Sequence, residues 1–294
     1  MVKVYGIDFT SAPSRRKPIT VAQGILCEGA LAIQLVSPIA SQAGFSDLLS
    51  CEGPWIAGLD FPFGQPRKYV VNIGWPAAWV DYVRHVGNMP KATFVSEMRA
   101  YQRGRPSGDI RHFRKVDRLA GACSPMQLDF IPVARMFYAG APALLNCGCS
   151  VFPFFSTDHD HKVAIEAYPS LVARFCVQNS SYKNDDQKKQ TSEQQSARQR
   201  IVKALNASTE LSSPIRQTYG TAVRLDKEQE RAMVEDGTGD TLDAVLCALQ
   251  AAWAYSRQEA DFGMNWKCDP IEGWIADPQC QPSQRSPSVP VPAR

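Results

Sequence analysis

Near its start the chain reads Val2-Lys3-Val4-Tyr5-Gly6-Ile7-Asp8, a short run of β-forming residues that ends directly on an acid. The loose alternation from Val2 to Ile7 predicts a first strand. Two further β-like runs follow, Ile19 to Leu26 and Ala30 to Val36, and the short gap between them contains Gly29, which is typical of a hairpin. We therefore expect three sequential antiparallel strands, the first of which ends at Asp8.

The pattern of a strand that ends on an acid occurs twice more along the chain. After a short amphipathic helix from Ser41 to Leu49, the apolar run Trp55 to Leu59 leads straight to Asp60. The run that begins at Lys162 ends in the same way on Glu166. In an α/β sheet the carboxyl ends of the strands gather along one edge, where ligands usually bind. The sequence thus predicts an α/β fold whose strand-ending acids share an edge.

A buried helix carries the last two acids of this set. Apolar residues recur at helical spacing from Leu242 to Trp253, which predicts an amphipathic helix over Asp240 to Tyr255. Asp240 and Asp243 are three residues apart and therefore share one face of that helix. Their negative charges repel each other, and the positive end of the helix dipole offsets only part of that cost. A divalent cation would offset far more.

The acids at these four places have the chemistry of a metal site. Mg²⁺ and Mn²⁺ prefer carboxylate oxygens, and two such ions about 3.5–4 Å apart can activate water and stabilise the leaving oxygen in phosphodiester hydrolysis. Each acid also has a purely structural interpretation: Asp8 and Asp60 as turn residues, Asp240 as an ordinary acid in the first turn of a helix. The metal hypothesis comprises Asp8, Asp60, Glu166, Asp240 and Asp243 as catalytic and metal-ligating residues, with Mg²⁺ or Mn²⁺ as the cofactor.

The middle of the chain, about 65–158, is expected to be a largely helical insertion, with two helices between Ala120 and Leu145 that are broken at Pro132 and Pro142. Its segment Lys91 to Arg118 has eight basic and three acidic residues, a net charge of +5 in a chain whose total is +3. Such a segment beside a metal site favours contact with a nucleic-acid backbone, and the interleaved Tyr101, His112 and Phe113 favour stacking on bases. The alternatives are a solvated basic face or an arginine network that joins the insertion to the core. The candidate nucleic-acid-binding residues are Arg99, Arg103, Arg105, Arg111, Arg114, Lys115 and Arg118.

Composition excludes several classes of protein. The 44% hydrophobic and 21% charged content is that of a soluble globular protein, and no apolar stretch approaches the length of a membrane span. The nine scattered cysteines and the lack of a signal-peptide pattern favour a reducing, cytoplasmic location. We expect one domain over residues 1–280 and a disordered tail over 281–294. The early part of the polar run Asn179 to Gln199 is expected to be a mobile loop, and Asp158-His-Asp-His161 a polar loop rather than a metal site.

Five short motifs in order resemble the domain of unknown function 429 family, whose members are described as predicted nucleases with a ribonuclease H-like fold. They extend over most of the chain, from about Val2 to Pro278. The motifs are Val4-Tyr-Gly-Ile-Asp8-Phe-Thr-Ser-Ala, Gly58-Leu-Asp60-Phe-Pro-Phe-Gly64, Ile165-Glu166-Ala-Tyr-Pro169, Gly239-Asp240-Thr-Leu-Asp243-Ala and Glu272-Gly-Trp-Ile275.

This resemblance implies a ribonuclease H-like mixed sheet with flanking helices. In that fold the first strand carries the central acid, a hairpin and a helix precede the strand with the second acid, and the closing helix supplies the last acids. It implies metal-ligand roles for Asp8, Asp60, Asp240 and Asp243. Glu166 would be a further ligand or would orient water. The expected activity is metal-dependent phosphodiester hydrolysis by a nuclease, with DNA or RNA as the partner.

Two other functions fit parts of the sequence. An actin-like or sugar-kinase-like phosphotransferase also begins with a strand and an Asp, but it needs a second phosphate loop. The one candidate for that loop, Gly237-Thr-Gly-Asp240, opens a helix instead of closing a strand. A non-catalytic nucleic-acid or protein-binding module with the same fold is the other alternative. The sequence leaves the oligomeric state and the choice between DNA and RNA open.

Overall fold

The first strand lies at the centre of a mixed sheet that has seven strands among the described residues. The computed structural model describes residues 1–157, 161–264 and 268–281. The strand order is β5-β6-β4-β1-β2-β3-β7. In chain order the strands are β1 Val2–Asp8, β2 Ile19–Cys27, β3 Ala30–Ile39, β4 Trp55–Leu59, β5 Ser150–Phe152, β6 Lys162–Glu166 and β7 Ala222–Arg224.

The predicted strands and hairpin are confirmed. β1 pairs antiparallel with β2, and β2 pairs antiparallel with β3. The turn between β2 and β3 has two residues with positive φ, Glu28 at 49° and Gly29 at 73°, which is the backbone that a tight two-residue hairpin requires. β4 pairs parallel with β1, and β6 pairs parallel with β4, so that these three strands end on the same edge.

Helices cover both faces of the sheet. They are α1 Gln42–Ser50, α2 Arg67–Ile73, α3 Trp79–Gly87, α4 Lys91–Gln102, α5 Lys115–Ala120, α6 Val133–Asn146, α7 Pro169–Val177, α8 Ser192–Ala207, α9 Pro214–Tyr219, α10 Lys227–Glu235 and α11 Asp240–Tyr255. Alternate residues of the central strands enter two separate cores. Val4 and Ile56 pack into the core that contains α11, whereas Ile7 and Leu59 pack into the core on the opposite face.

The predicted boundaries need three corrections. α6 does not break at Pro142 but continues through it to Asn146. The segment expected to be an insertion contains β5, which joins the main sheet beside β6. β7, which sequence reasoning missed, is only three residues long and pairs parallel with β3. Both added strands are too short for a periodic signal, so only their tertiary pairing defines them.

Other expectations concern covalent and membrane features. All nine cysteines lie within the described ranges and are free thiols. No helix in those ranges is long and apolar enough to cross a bilayer. The expected disordered tail falls almost wholly on residues 282–294, and most of the expected polar loop on residues 158–160; both stretches are outside the described residues.

Candidate active site

The acids of β1 and β4 end on the same edge of the sheet. Asp8 is the last residue of β1, and Asp60 directly follows β4. The Asp60 N–H donates a hydrogen bond to the carbonyl of Ile7 at 3.0 Å, which fixes the two acidic positions next to each other. Glu166 ends β6 opposite Leu59 on the same edge.

Helix α11 brings the last two acids to this edge because glycines in the strands allow it to approach closely. A Cβ at Gly6 would lie 1.9 Å from the Ala244 carbonyl oxygen, and a Cβ at Gly58 would lie 2.5 Å from that of Cys247. The helix therefore packs directly on the backbones of β1 and β4. Its first turn, with Asp240 and Asp243, stands beside the strand ends.

Asp243 is fully buried, and both of its carboxylate oxygens have a partner. Tyr182 donates its hydroxyl to Oδ1 at 2.7 Å, and the Lys183 ammonium donates to Oδ2. Gly239, just before α11, has a φ of 78°, and a Cβ there would lie 2.8 Å from the Cβ of Lys183. The glycine thus leaves room for the lysine to cross the start of the helix.

Crowded negative charge dominates the electrostatics of the site. Burial, followed by repulsion from Asp243, holds the pKa of Asp8 well above its usual range, although Lys183 opposes the shift. The same causes raise the pKa of Asp60 to about 7. Burial also raises the pKa of Asp240, against the attraction of Lys17. The four aspartates face two nearby ammonium groups, so the site holds more negative than positive charge when all are ionised.

The two lysines make different contacts with the acids. Burial lowers the pKa of Lys183, but Asp243 and then Tyr182 raise it more strongly, and the net shift is well above the ordinary value. The ammonium of Lys183 is therefore charged at neutral pH. Lys17 lies 2.9 Å from Asp185 and 3.4 Å from Asp240, at the more exposed side of the site.

The carboxylate oxygens of Asp8 and Asp60 have no hydrogen-bond or ion-pair partner among the described residues. Both carboxylates are at least partly buried. Hard carboxylate oxygens without partners, in a site with excess negative charge, have the donor chemistry that Mg²⁺ or Mn²⁺ requires. Among the described residues, no group of three or more His, Cys, Asp or Glu side chains is placed so that it could hold a metal ion. The fit to a divalent cation is therefore one of donor chemistry at Asp8 and Asp60 alone, whereas Asp243 is already engaged by Tyr182 and Lys183.

Glu166 has different surroundings from the four aspartates. Arg114 donates to Oε2 at 2.8 Å and to Oε1 at 2.5 Å, and the Phe63 N–H donates to Oε2 at 2.8 Å. Both oxygens of this carboxylate, which is only 2% exposed, are thus engaged with the protein. Burial raises the pKa of Glu166, and the adjacent guanidinium of Arg114 opposes that shift.

Arg114 joins the middle segment of the chain to the core. The side chain is buried, and its five N–H donors are engaged by Asp117, Glu166 and the carbonyl of Glu272. The predicted nucleic-acid contact at Arg114 would therefore need one of these donors to leave its protein partner. The contacts of Arg114 are those of the alternative stated above, in which an arginine network joins the middle segment to the core.

The other basic residues of this segment are more exposed. Arg99 pairs with Asp129 at 3.1 Å, and the half-buried Arg105 pairs with Asp109 and stacks on Tyr101. Four more are exposed and form no ion pair with any described residue: Arg103, Arg111, Lys115 and Arg118. Among the proposed stacking residues, His112 is buried and bonded to the Tyr101 hydroxyl at 2.7 Å, whereas Phe113 is 38% exposed beneath Arg118.

A cavity of about 190 Å³ opens beside the acids. Its walls are mostly apolar and aromatic, and they include Ile131, Val133, Met136 and Tyr168 together with Asp60 and Lys183. Phe130, which precedes Ile131, is fully exposed and has a φ of 65°. This is a backbone region that residues other than glycine rarely adopt.

Sequence reasoning missed Tyr182 and Lys183, because they lie in a polar stretch that was expected to be a mobile loop. No local pattern marks them, since their partner Asp243 is about 60 residues away in the chain. Comparison of the chain with protein-family models, curated proteins and solved structures found no match.

Proposed function

We propose that this protein is a metal-dependent phosphodiesterase of the nuclease class, built on a ribonuclease H-like core. The observation that carries the proposal is the pair of neighbouring carboxylates, Asp8 and Asp60, which make no hydrogen bond or ion pair with a described residue and whose raised pKa values reflect burial and the nearby Asp243. Asp240 is proposed as the third acid of the cation site: its contact with Lys17 is long, at 3.4 Å, and a bound cation would have to draw the three carboxylates together, since they are not grouped in this way without it.

The order of elements supports the ribonuclease H-like assignment. β1 carries Asp8, the hairpin β2–β3 and helix α1 follow, and β4 then leads to Asp60. The long helix α11 supplies the last acids, as that fold implies. The phosphotransferase alternative is less well supported, because Gly239 and Asp240 begin this helix and close no strand.

A divalent cation held by Asp8, Asp60 and Asp240 would supply Lewis-acid stabilisation of the phosphate and activation of water. The side chains of the protein have two further roles, which are to balance charge and to attract the substrate. The buried acids hold their protons more tightly than free aspartates do, and a bound cation would favour their ionised form; Lys183 balances part of the resulting negative charge. The exposed cations of the middle segment, Arg103, Arg111, Lys115 and Arg118, provide sequence-independent attraction for a phosphate backbone.

The cavity beside Asp60 supports a substrate with unpaired bases. Its lining of apolar side chains, two aromatic residues and several charged groups suits a planar nucleobase that has left its stack. A base inside this cavity would place its own phosphate near Asp60 and Lys183, because both residues line it. Single-stranded, branched or frayed nucleic acid is therefore the proposed substrate class.

The decisive experiment incubates the purified protein with single-stranded, duplex and branched DNA and RNA in the presence of Mg²⁺ or Mn²⁺. We expect cleavage that chelation abolishes and that Asp8→Asn reduces by at least a hundredfold without lowering the melting temperature. Asp47→Asn, an exposed acid of α1, is the matched control and should remain fully active.

Three outcomes would contradict the proposal. Equal activity of Asp8→Asn would mean that the cleavage does not come from this site. Binding of nucleic acid without cleavage or metal uptake would favour a non-catalytic module. Calorimetric binding of magnesium-ATP in place of nucleic acid would favour the phosphotransferase.

A further inference from the structure

We propose that the site takes one divalent cation and that Lys183 supplies the second positive charge in place of a second ion. This inference rests on the proposed function, because it specifies how the charge of the metal site is completed. Its basis is the contact between the Lys183 ammonium and the buried carboxylate of Asp243.

Asp243 is the acid that a second ion would need, and the protein already uses it. One oxygen accepts the Tyr182 hydroxyl at 2.7 Å, and the other accepts the Lys183 ammonium. A second cation would have to displace one of these donors from a carboxylate that is fully buried. It would also meet the repulsion of the Lys183 ammonium, which lies directly against Asp243.

The position of Lys183 is built into the fold. Gln194 of α8 donates to the Lys183 carbonyl at 3.1 Å, and Arg198 of the same helix donates to the Tyr182 carbonyl at 2.7 Å. The backbone N–H of Asn184 bonds to the carbonyl of Gly237 at 3.0 Å. These bonds attach the lysine segment both to α8 and to the loop before α11, which explains how one side chain reaches a carboxylate so far away in the sequence.

Lys183 also faces the space that a substrate phosphate would occupy. It lines the cavity together with Asp60, and its side chain is 37% exposed. A fixed ammonium at this place stabilises negative charge that develops on the phosphate, which is the role that a second ion has in a two-metal site. The arrangement thus replaces one mobile ion by a covalently attached charge.

The test is the stoichiometry of Mn²⁺ binding, measured on the full-length protein by electron paramagnetic resonance of free and bound ion. We expect one Mn²⁺ per wild-type chain and two per chain of Lys183→Met, because the substitution removes the ammonium and frees an oxygen of Asp243. Lys188→Met removes an exposed lysine of the same segment and should leave one bound ion. Lys183→Arg keeps the charge and should also bind one.

A folding control accompanies the titration. Loss of Lys183 leaves Asp243 without its ion-pair partner, so Lys183→Met should melt below wild type without metal, and Mn²⁺ should raise its melting temperature more than that of wild type. If Lys183→Met does not fold without metal, Lys183→Gln takes its place in the titration; it removes the positive charge, keeps a polar side chain beside Asp243, and should also bind two Mn²⁺, whereas one bound ion would overturn the inference.

The possible results separate this inference from the proposed function. Two Mn²⁺ per wild-type chain, or one in both wild type and Lys183→Met, would overturn the inference and leave a metal-dependent function standing. No Mn²⁺ bound to the wild type would overturn both.

Discussion

Gly6 of β1 lies against Ala244 of α11 with no room for a side chain between them: a Cβ at position 6 would stand 1.9 Å from the Ala244 carbonyl oxygen. This contact sets the depth at which α11 packs on the sheet. Since Asp243 precedes Ala244, the same contact sets the distance between the acids of the helix and Asp8 at the end of β1. A small residue six places into the chain thus controls the geometry of the candidate site.

Gly6→Ala should therefore displace α11 and destabilise the protein. Overpacking against a backbone cannot be relieved by a rotamer change, and we expect a loss of about 3 kcal/mol or more in the free energy of unfolding. Urea denaturation followed by circular dichroism measures it. Gly44→Ala in α1 is the control, because a Cβ there meets only side-chain atoms at 3.0 Å or beyond. Equal stability of the two variants would show that α11 packs less closely than described.

Arg114 and Arg118 lie in the same basic segment and should behave in opposite ways. Arg114→Met leaves Glu166 and Asp117 buried without their counter-charge, which costs about 3–5 kcal/mol of stability. Arg118→Ala removes an exposed cation and should change stability by less than about 0.5 kcal/mol. In a nucleic-acid binding assay, Arg118→Ala should weaken affinity and lower the salt dependence. A stable Arg114→Met variant would contradict the role given to the buried ion pair.

Asp277 should make stability depend on pH in a defined window. Burial raises its pKa to about 6 from an ordinary value of 3.8, against the hydrogen bonds from Gln250 and Tyr219. The folded state therefore binds the proton more tightly than the unfolded state. The contribution to stability is fully present below pH 3.8 and is lost as the pH rises through 6.

The matching experiment compares the wild type with Asp277→Asn across that window. A difference of about 2 pKa units corresponds to about 3 kcal/mol, so the stability of the wild type relative to the variant should fall by roughly that amount between pH 4 and pH 7. Asp47→Asn, at an exposed site, should show no such change relative to the wild type. A constant difference between wild type and Asp277→Asn would disprove the assignment.

Phe130 should contribute to the binding of unpaired bases. We measure the Kd of single-stranded oligonucleotides on the Asp8→Asn background, so that cleavage does not interfere. Stacking on one aromatic side chain is worth about 1–3 kcal/mol, and Phe130→Ala should weaken binding by roughly 5- to 150-fold. Leu211→Ala, which removes another highly exposed apolar side chain, is the control. The loss should disappear with an oligonucleotide that lacks bases; if it persists there, Phe130 acts through something other than stacking.

The sequence by itself determined the elements whose signals are local. Alternation predicted β1, Glu28 and Gly29 provided the hairpin turn, and helical spacing predicted α11 from Asp240 to Tyr255. The edge position of Asp8 and Asp60 followed as well, because parallel strands must end on the same side of a sheet. These features depend on residues within about one helical turn or one strand of each other, so they can be predicted from short-range patterns of residue type.

Only the tertiary structure decided which of those acids are available and what balances them. Glu166 meets Arg114 across 52 residues of sequence, and Asp243 meets Lys183 across 60. Such pairs produce no periodic pattern in the sequence. Each partner, judged from its sequence neighbours, is an ordinary charged residue in a loop or at the end of a strand. The packing of α8 and α11 brings Lys183 to Asp243, and both pairs are favoured because burying a charge without a partner is costly. For that reason the positions of the acids could be predicted from the sequence, whereas the lysine that completes the charge of the site could not.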